Sequence, residues 1–122
     1  DRERLARIVA SCDALIHGSE AEPFGLVASE AMAGGLPLIV PDTGGCAEVA
    51  DRHASEFYTA RDAQSAAAAI HRLFARDQRV LRRAVLVAAG KVRSDRDHAV
   101  ELMDYYQGLV DAKRNGALLK VA

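Results

Sequence analysis

Charge of one sign is what this sequence has least of. Sixteen basic and seventeen acidic residues leave a formal net charge of −1. That balance gives the chain as a whole no attraction for nucleic acid or for an anionic membrane. No apolar run approaches the roughly 18 residues of a membrane-spanning helix, and no signal-peptide pattern is legible. Cysteine is scarce too: Cys12 and Cys46 stand in strand-like and turn contexts, outside any metal-spacing motif. They read as two reduced thiols of a cytosolic protein, with Cys12 as a small core residue. His17, His53, His71 and His98 are scattered, so neither a zinc site nor a Cys/His nucleophile pair is expected. Internal repeats and low-complexity linkers are missing. What remains is one domain or part of one, with half of its residues hydrophobic, which makes a core feasible although many of them are alanine.

The most informative stretch is Glu22-Pro23-Phe24-Gly25-Leu26-Val27-Ala28-Ser29-Glu30, followed by Ala31-Met32-Ala33-Gly34-Gly35-Leu36-Pro37. Pro23 fixes its own φ and removes an N–H that a helix start leaves unpaired anyway. Gly25 lets the backbone approach a ligand closely. From Phe24 onward the apolar positions Phe24, Val27 or Ala28, Ala31 and Met32 follow helical spacing. Gly34-Gly35 stops the helix and Pro37 forbids its continuation. One carboxylate therefore sits on the loop before a helix and a second inside it, roughly 8 Å along the axis at about 1.5 Å per residue. Between them lie first-turn N–H groups with no intrahelical partner, at the end where the helix dipole favours negative charge. Such a site can take hydroxyl-rich and phosphate-bearing groups together, and a nucleotide sugar has both. Gly25 is expected to face this cleft rather than the core, so that a side chain there would obstruct a ligand and leave the fold mostly intact.

Along the rest of the chain, Asp1 to Ala10 reads as a helix with Leu5, Ile8 and Val9 on one face. Ala14-Leu15-Ile16 reads as a short buried strand. Leu38-Ile39-Val40 is a second strand, stopped by Pro41. Asp42 to Gly45 is a turn, Cys46 to Ala50 a short helix, and Glu56 to Thr59 a third strand. Three helices follow. Ala63 to Ala75 has Asp62 as its N-cap and Ala66, Ala69, Ile70, Leu73 and Phe74 at core spacing. Val80 to Ala89 stops near Gly90. Asp97 to Lys113 has Val100, Met103, Leu109 and Val110 on its apolar side, and Asn115 to Ala122 reads as a tail. Strands alternating with helices argue for a parallel sheet, whose ligands bind at the carboxyl ends of the strands. The loops after the first and second strands open there, which places Glu22 and Gly44-Gly45 on one rim. Only three strands are legible, where a doubly wound nucleotide domain has five or six.

Ser19, Glu22, Phe24-Gly25-Leu26, Glu30-Ala31-Met32-Ala33, Gly35, Pro37, Gly44-Gly45 and Glu48-Val49 form an ordered set of about thirty residues that resembles the retaining glycosyltransferases of family 4, the group 1 glycosyltransferases. The flanking sequence from Asp1 to Ala112 fits the same domain more loosely. The resemblance implies an α/β, Rossmann-like parallel sheet with flanking helices, the C-terminal part of a GT-B glycosyltransferase, in which two such domains face each other across a cleft. It implies a nucleotide-sugar-binding domain over 1–113 and a tail over 114–122, with the acceptor domain and an upstream basic segment for the donor phosphates outside this chain. It also implies roles. Glu22 is matched to a catalytic, donor-binding glutamate that contacts the sugar hydroxyls. Phe24, Gly25 and Leu26 form the turn whose amides meet the donor, and Glu30 binds the nucleotide ribose.

The function so implied is a hexosyltransferase-like transfer from a nucleotide-diphosphate sugar to the hydroxyl of a glycan, lipid or small molecule, with retention of configuration. It would serve polysaccharide biosynthesis in the cytoplasm, with no cofactor, no metal and no nucleic-acid partner. Any peripheral membrane contact would come through segments outside this chain, and the isolated chain is expected to be inactive. Other features read more plainly. Gly44-Gly45 reads as an ordinary tight turn before it reads as a diphosphate cradle. Glu48 is expected to cap or pair locally, His17 to be a bystander on the rim, and Tyr105-Tyr106 to be a packing pair. The run Arg79 to Arg83 reads as a solvated helix face. A pyridoxal-phosphate phosphorylase would need a lysine, but Lys91, Lys113 and Lys120 all lie late in the chain. A nucleotide-sugar epimerase and a non-catalytic nucleotide-sugar-binding module stay open as rivals.

Overall fold

The computed structural model describes residues 1–19 and 21–114. The expected tail from Asn115 on, Lys120 included, lies outside the described residues. Residues Asp1–Val92 form one compact unit and Arg93–Ala122 a second.

The first unit is built on three parallel strands in the order β1 (Leu15–Ile16), β2 (Leu38–Pro41), β3 (Ser55–Tyr58). Leu15 pairs with Leu38, and Leu38 with Ser55, so the register runs straight across the sheet. β2 is the central strand and is buried along its whole length. Its neighbouring side chains point to opposite faces, so both faces of the sheet are covered at that strand. β1 pairs only with β2, and this edge position corrects the expectation of a buried strand: Leu15 is half-buried and Ile16 exposed. Pro41 does not stop β2 early. It is the last paired residue, opposite Tyr58, and the amide of Asp42 continues the ladder by donating to the Tyr58 carbonyl at 2.8 Å, while the N–H that proline lacks would have faced the β1 side.

Helix α1 (Arg2–Ala10) is capped by the Asp1 carboxylate, which accepts from the Glu3 and Arg4 amides. Only Val9 of its apolar residues packs on the core, while Leu5 and Ile8 are exposed. α2 (Leu26–Ala33) starts two residues later than the spacing suggested and buries Ala28, Ala31 and Met32. Phe24 and Val27 are exposed. α2 lies against β2, against the short helix α3 (Gly45–Val49), and against α5 (Gln78–Ala89). α4 (Ala63–Ala75), capped by Asp62 as expected, covers β3 and β2 with Ala69 and Leu73. Its Ile70 and Phe74 stay largely exposed, because the sheet beneath it is only three strands wide. α5 begins at Gln78, since Asp77 caps it through the amides of Arg79 and Val80. Cys12 does not take the core position expected of it. Cys12 is exposed, with its thiol donating to the Ile8 carbonyl, and Cys46 is the buried one, inside α3.

The second unit holds α6 (Asp95–Arg114). Ser94 and Asp97 exchange side-chain and backbone hydrogen bonds at its start, a capping box with aspartate in the glutamate position. None of its residues is buried; Val100, Met103 and Val110 are exposed. The rings of Tyr105 and Tyr106 stand tilted at 6.3 Å, as a packing pair does.

The entry to β3 is tied to the end of α5 by Asp51. Its Oδ1 accepts from the His53 amide at 2.9 Å and its Oδ2 pairs with the Lys91 ammonium at 3.0 Å. The amide first, then Lys91, hold the Asp51 carboxyl below its ordinary value of 3.8. A carboxylate with a depressed folded-state pKa stabilises the fold above its unfolded value, and that contribution is lost as pH falls through the folded value. Asp51→Ala is expected to cost about 1.5 kcal/mol at pH 7, at the low end for charged hydrogen bonds because Lys91 is exposed and the pair is screened. Urea unfolding of parent and variant from pH 7 down to the acid limb checks this: the gap should close as the carboxylate protonates.

Candidate functional site

The carboxyl ends of the three strands form one rim. His17 continues β1: its amide donates to the Ile39 carbonyl at 2.9 Å, and its carbonyl accepts from the Tyr58 hydroxyl at 2.6 Å. That second bond ties the exit of β1 to the exit of β3 across β2. Between these exits lies a cleft of about 370 Å³, lined by Gly18, Ser19, Ala21, Pro41, Tyr58, Ala60 and Arg61. Sequence reading missed its last two members. It considered the loops after the first two strands and left out the one after the third, although a parallel sheet sends that loop to the same end. Arg61 holds a left-handed backbone, with φ of 64°.

Beside the cleft, the loop from Glu22 to Gly25 leads into α2. Gly25 is the N-cap, with φ of 66°, and it has no side chain to satisfy the helix start. The Glu22 carboxylate engages the turn ahead of the helix and not the helix start itself: its Oε1 accepts from the amides of Phe24 at 3.3 Å and Gly25 at 3.1 Å. The turn amides expected to meet a ligand are thus engaged by the chain's own carboxylate. Past them, Leu26, Val27 and Ala28 open the helix with first-turn amides that have no partner within it. The other oxygen, Glu22 Oε2, stands 4.0 Å from His17 Nε2, and His17 is largely buried with its Nδ1 unpartnered. His17 therefore faces the glutamate rather than standing apart on the rim.

α3 is pressed against this loop. The Gly45 amide donates to the Glu22 carbonyl at 2.7 Å. A Cβ on Gly25 would stand 2.8 Å from the Gly45 carbonyl oxygen, and one on Gly45 would stand 2.7 Å from Pro23 backbone atoms. Gly44, with φ of 81°, caps α3. Gly44-Gly45 is thus more than a tight turn: it lets the starts of two helices meet backbone to backbone. Cys46 lies behind this contact. Burial first, then the Glu22 carboxylate, push its thiol above the ordinary range, which keeps it protonated and unsuited to nucleophilic work. Burial also raises the Tyr58 hydroxyl, so it remains a donor to His17.

The other predicted residues are solvent-facing. Phe24 is 75% and Leu26 68% exposed. Glu30 stands one turn into α2 on its exposed side, and among the described residues its carboxylate makes no hydrogen bond or ion pair. The structure thus gathers Glu22, Gly25 and Gly44-Gly45 into one contact and leaves Phe24, Leu26 and Glu30 open around it. Glu48 does not pair locally: it is exposed, with no bonded partner among the described residues. Also among the described residues, no three His, Cys, Asp or Glu side chains are grouped so as to hold a metal ion.

Gly25 is buried against α3, which overturns the expectation that it faces only the cleft. Gly25→Val meets a left-handed backbone and a carbonyl in van der Waals overlap, costs of about 1–2 and 1–3 kcal/mol. A melting temperature lowered by several degrees is expected for Gly25→Val and also for Gly45→Ala, which has the same backbone overlap. Thermal unfolding followed by circular dichroism measures both, and unchanged melting would contradict the packing described.

The family model for group 1 glycosyl transferases matches residues 1–92, the whole of the first compact unit. A GDP-mannose-dependent alpha-mannosyltransferase of Mycobacterium tuberculosis is 43% identical over 51 residues, which are 42% of this chain and 14% of that protein. An uncharacterized glycosyltransferase of Methanocaldococcus jannaschii is 43% identical over 47 residues, 38% of this chain and 12% of that one. Among solved structures, sucrose-phosphate synthase from Thermosynechococcus elongatus superposes with a TM-score of 0.78 at 30% identity, over 92% of this chain and 29% of that one. Anabaena HepE, solved in complex with UDP, shares the fold with a TM-score of 0.65 at 24% identity, over 86% of this chain and 29% of that one. The chain thus spans under a third of the length of each of these proteins. Its Rossmann-like parallel sheet with flanking helices is the fold of the C-terminal part of GT-B glycosyltransferases. On the match over residues 1–92, this chain belongs to the family of group 1 glycosyl transferases.

Proposed function

We propose that this chain is the donor-binding part of a glycosyltransferase that moves a hexose from a nucleotide-diphosphate sugar to an acceptor hydroxyl with retention of configuration. The observation that carries the reading is the junction at the rim. One carboxylate, Glu22, is anchored by Oε1 while its Oε2 stays partly open. A helix start with unpartnered amides follows it, and a cleft of about 370 Å³ lies alongside. In this reading Oε2 of Glu22 accepts from hydroxyls of the transferred sugar. The amides of Leu26, Val27 and Ala28 meet the donor's anionic oxygens, where the helix dipole adds to their pull. Glu30, free of other partners, binds the ribose hydroxyls. Phe24 and Leu26 flank the donor, and Gly25 shapes the turn.

The chemistry asked of these groups is positioning and charge stabilisation. Departure of the diphosphate leaves positive charge on the sugar and negative charge on the leaving group. Glu22 stands near the first and the helix start near the second. The donor is a substrate, and the reading assigns no cofactor or metal. The acceptor, a glycan, lipid or small molecule, is held outside this chain, as is the remaining phosphate-binding surface. The sequence over 1–113 is the donor-binding module in this reading, and its two unpaired thiols are consistent with the reducing cytoplasm. The relatives' names support the class of reaction: one is a mannosyltransferase using GDP-mannose, and one fold neighbour was solved with UDP.

Calorimetric titration with UDP and with GDP tests the assignment. Glu30→Ala is expected to weaken nucleotide binding about tenfold or more, as loss of a charged acceptor costs about 1.5–3 kcal/mol. Glu22→Ala should affect the free nucleotide less and the nucleotide sugar more, once a thermal melt has shown that loss of its bonds to the Phe24 and Gly25 amides leaves the chain folded. An equal fall in nucleotide affinity for both variants would defeat the division of roles.

A further inference from the structure

The near-zero net charge hides an uneven distribution. α5 lies across the amino ends of all three strands: one concavity joins its Leu81, Arg82 and Val85 to Asp13 before β1 and Pro37 before β2. A second joins Val80, Arg83, Ala84 and Val87 to His53 before β3. With Leu81, Val85 and Ala88 buried, the opposite side of α5 faces away from the rim that carries Glu22. That outward side presents Arg79, Arg82 and Arg83, none of them ion-paired among the described residues. Interleaved with them are Val80, Leu86 and Val87, exposed to 61%, 64% and 61%. The bordering acids do little to cancel the charge. The Asp77 carboxylate is engaged by the amides of Arg79 and Val80, Asp51 by Lys91, and Glu56 by Arg72 and Arg76. Asp13 alone faces the patch uncommitted.

A solvated helix face has no use for three large aliphatic side chains among its arginines. We propose that the outward face of α5 rests on an anionic lipid surface, with the guanidinium groups on headgroup phosphates and Val80, Leu86 and Val87 entering the acyl boundary. A second copy of the chain fits poorly, because arginine would face arginine. A nucleic acid would use the guanidinium groups and leave the aliphatic side chains without a role, there being no row of rings for bases to stack on. The patch is at the pole opposite the rim, so lipid contact there leaves the cleft open to a soluble ligand. The proposal does not depend on the donor-binding reading.

Sedimentation of the full 122-residue chain with vesicles tests it. Binding is expected to vesicles of phosphatidylcholine containing about one-third phosphatidylglycerol, to be much weaker to phosphatidylcholine alone, and to fall as salt rises. Arg79→Gln/Arg82→Gln/Arg83→Gln should weaken it about a hundredfold, at the roughly fivefold per basic residue expected near an anionic surface. Val80→Ser/Leu86→Ser/Val87→Ser, which keeps the charge, should weaken it at least tenfold at the loss of three inserted side chains. Both variants alter exposed positions, and circular dichroism verifies that they fold. Failure to bind anionic vesicles would overturn the proposal. So would binding that ignores the serine variant and is matched by heparin or poly-glutamate, since that surface would serve a polyanion and not a membrane.

Discussion

The contact on which this structure depends is the approach of two helix starts with nothing but backbone between them. The Gly45 amide meets the Glu22 carbonyl, and neither Gly25 nor Gly45 has room for a Cβ. The geometry of the rim around Glu22 follows from that approach. It fixes the loop that carries Glu22 and holds Gly25 as a left-handed N-cap without a capping side chain, while the Glu22 carboxylate braces the turn through the Phe24 and Gly25 amides. A carboxylate held by one oxygen has a defined direction for the other, which is what a site for hydroxyl groups requires. A glycine with φ near +66° is unstrained there, whereas any other residue would be.

The sheet makes the approach possible. β2, buried on both faces, brings the loops after β1 and β2 side by side, and the Tyr58 hydroxyl draws the exit of β3 to that of β1. Because all three strands run parallel, their loops divide into two poles. The carboxyl pole gathers glycine turns, a buried thiol and a directed glutamate. The amino pole is closed by α5, whose outward side carries unpaired arginines among exposed aliphatic residues. The two poles differ in chemistry because they differ in backbone: one offers helix starts and strand exits, the other a helix laid across strand entries.

Much of this was legible beforehand, and for identifiable reasons. β2 and β3 are short apolar runs bounded by turn residues, and such runs become strands whatever surrounds them. Asp62 before an alanine-rich helix, and Gly34-Gly35 after α2, are start and stop signals that act within a few residues. The motif from Glu22 to Pro37 pointed to the family because its glycines and glutamates stand at fixed spacings, and the match over residues 1–92 bears that out. Legibility failed where burial depends on neighbours. Ile16, Leu5, Ile8, Ile70 and Phe74 have core spacing and lie exposed, since a face is buried only if another element is there to cover it. Cys12, expected in the core, lies exposed for the same reason.

The sequence by itself determined the order of strands and helices, the caps that begin them, and the presence of two glutamates around a glycine turn. These are local matters, settled by φ preferences, capping groups and hydrophobic period over a few residues. Only the tertiary structure decided that Gly25 packs against Gly45, that Glu22 braces the turn before α2 beside His17, that the loop after β3 completes the cleft, and that the arginines of α5 share a face with exposed aliphatic side chains. Most of these join segments some twenty or more residues apart or depend on which side of a helix the core occupies, and the Glu22 turn, though local, is held in place by the Gly45 contact twenty-three residues on. No local preference encodes either one, because both are set by how the whole chain fills the space around β2.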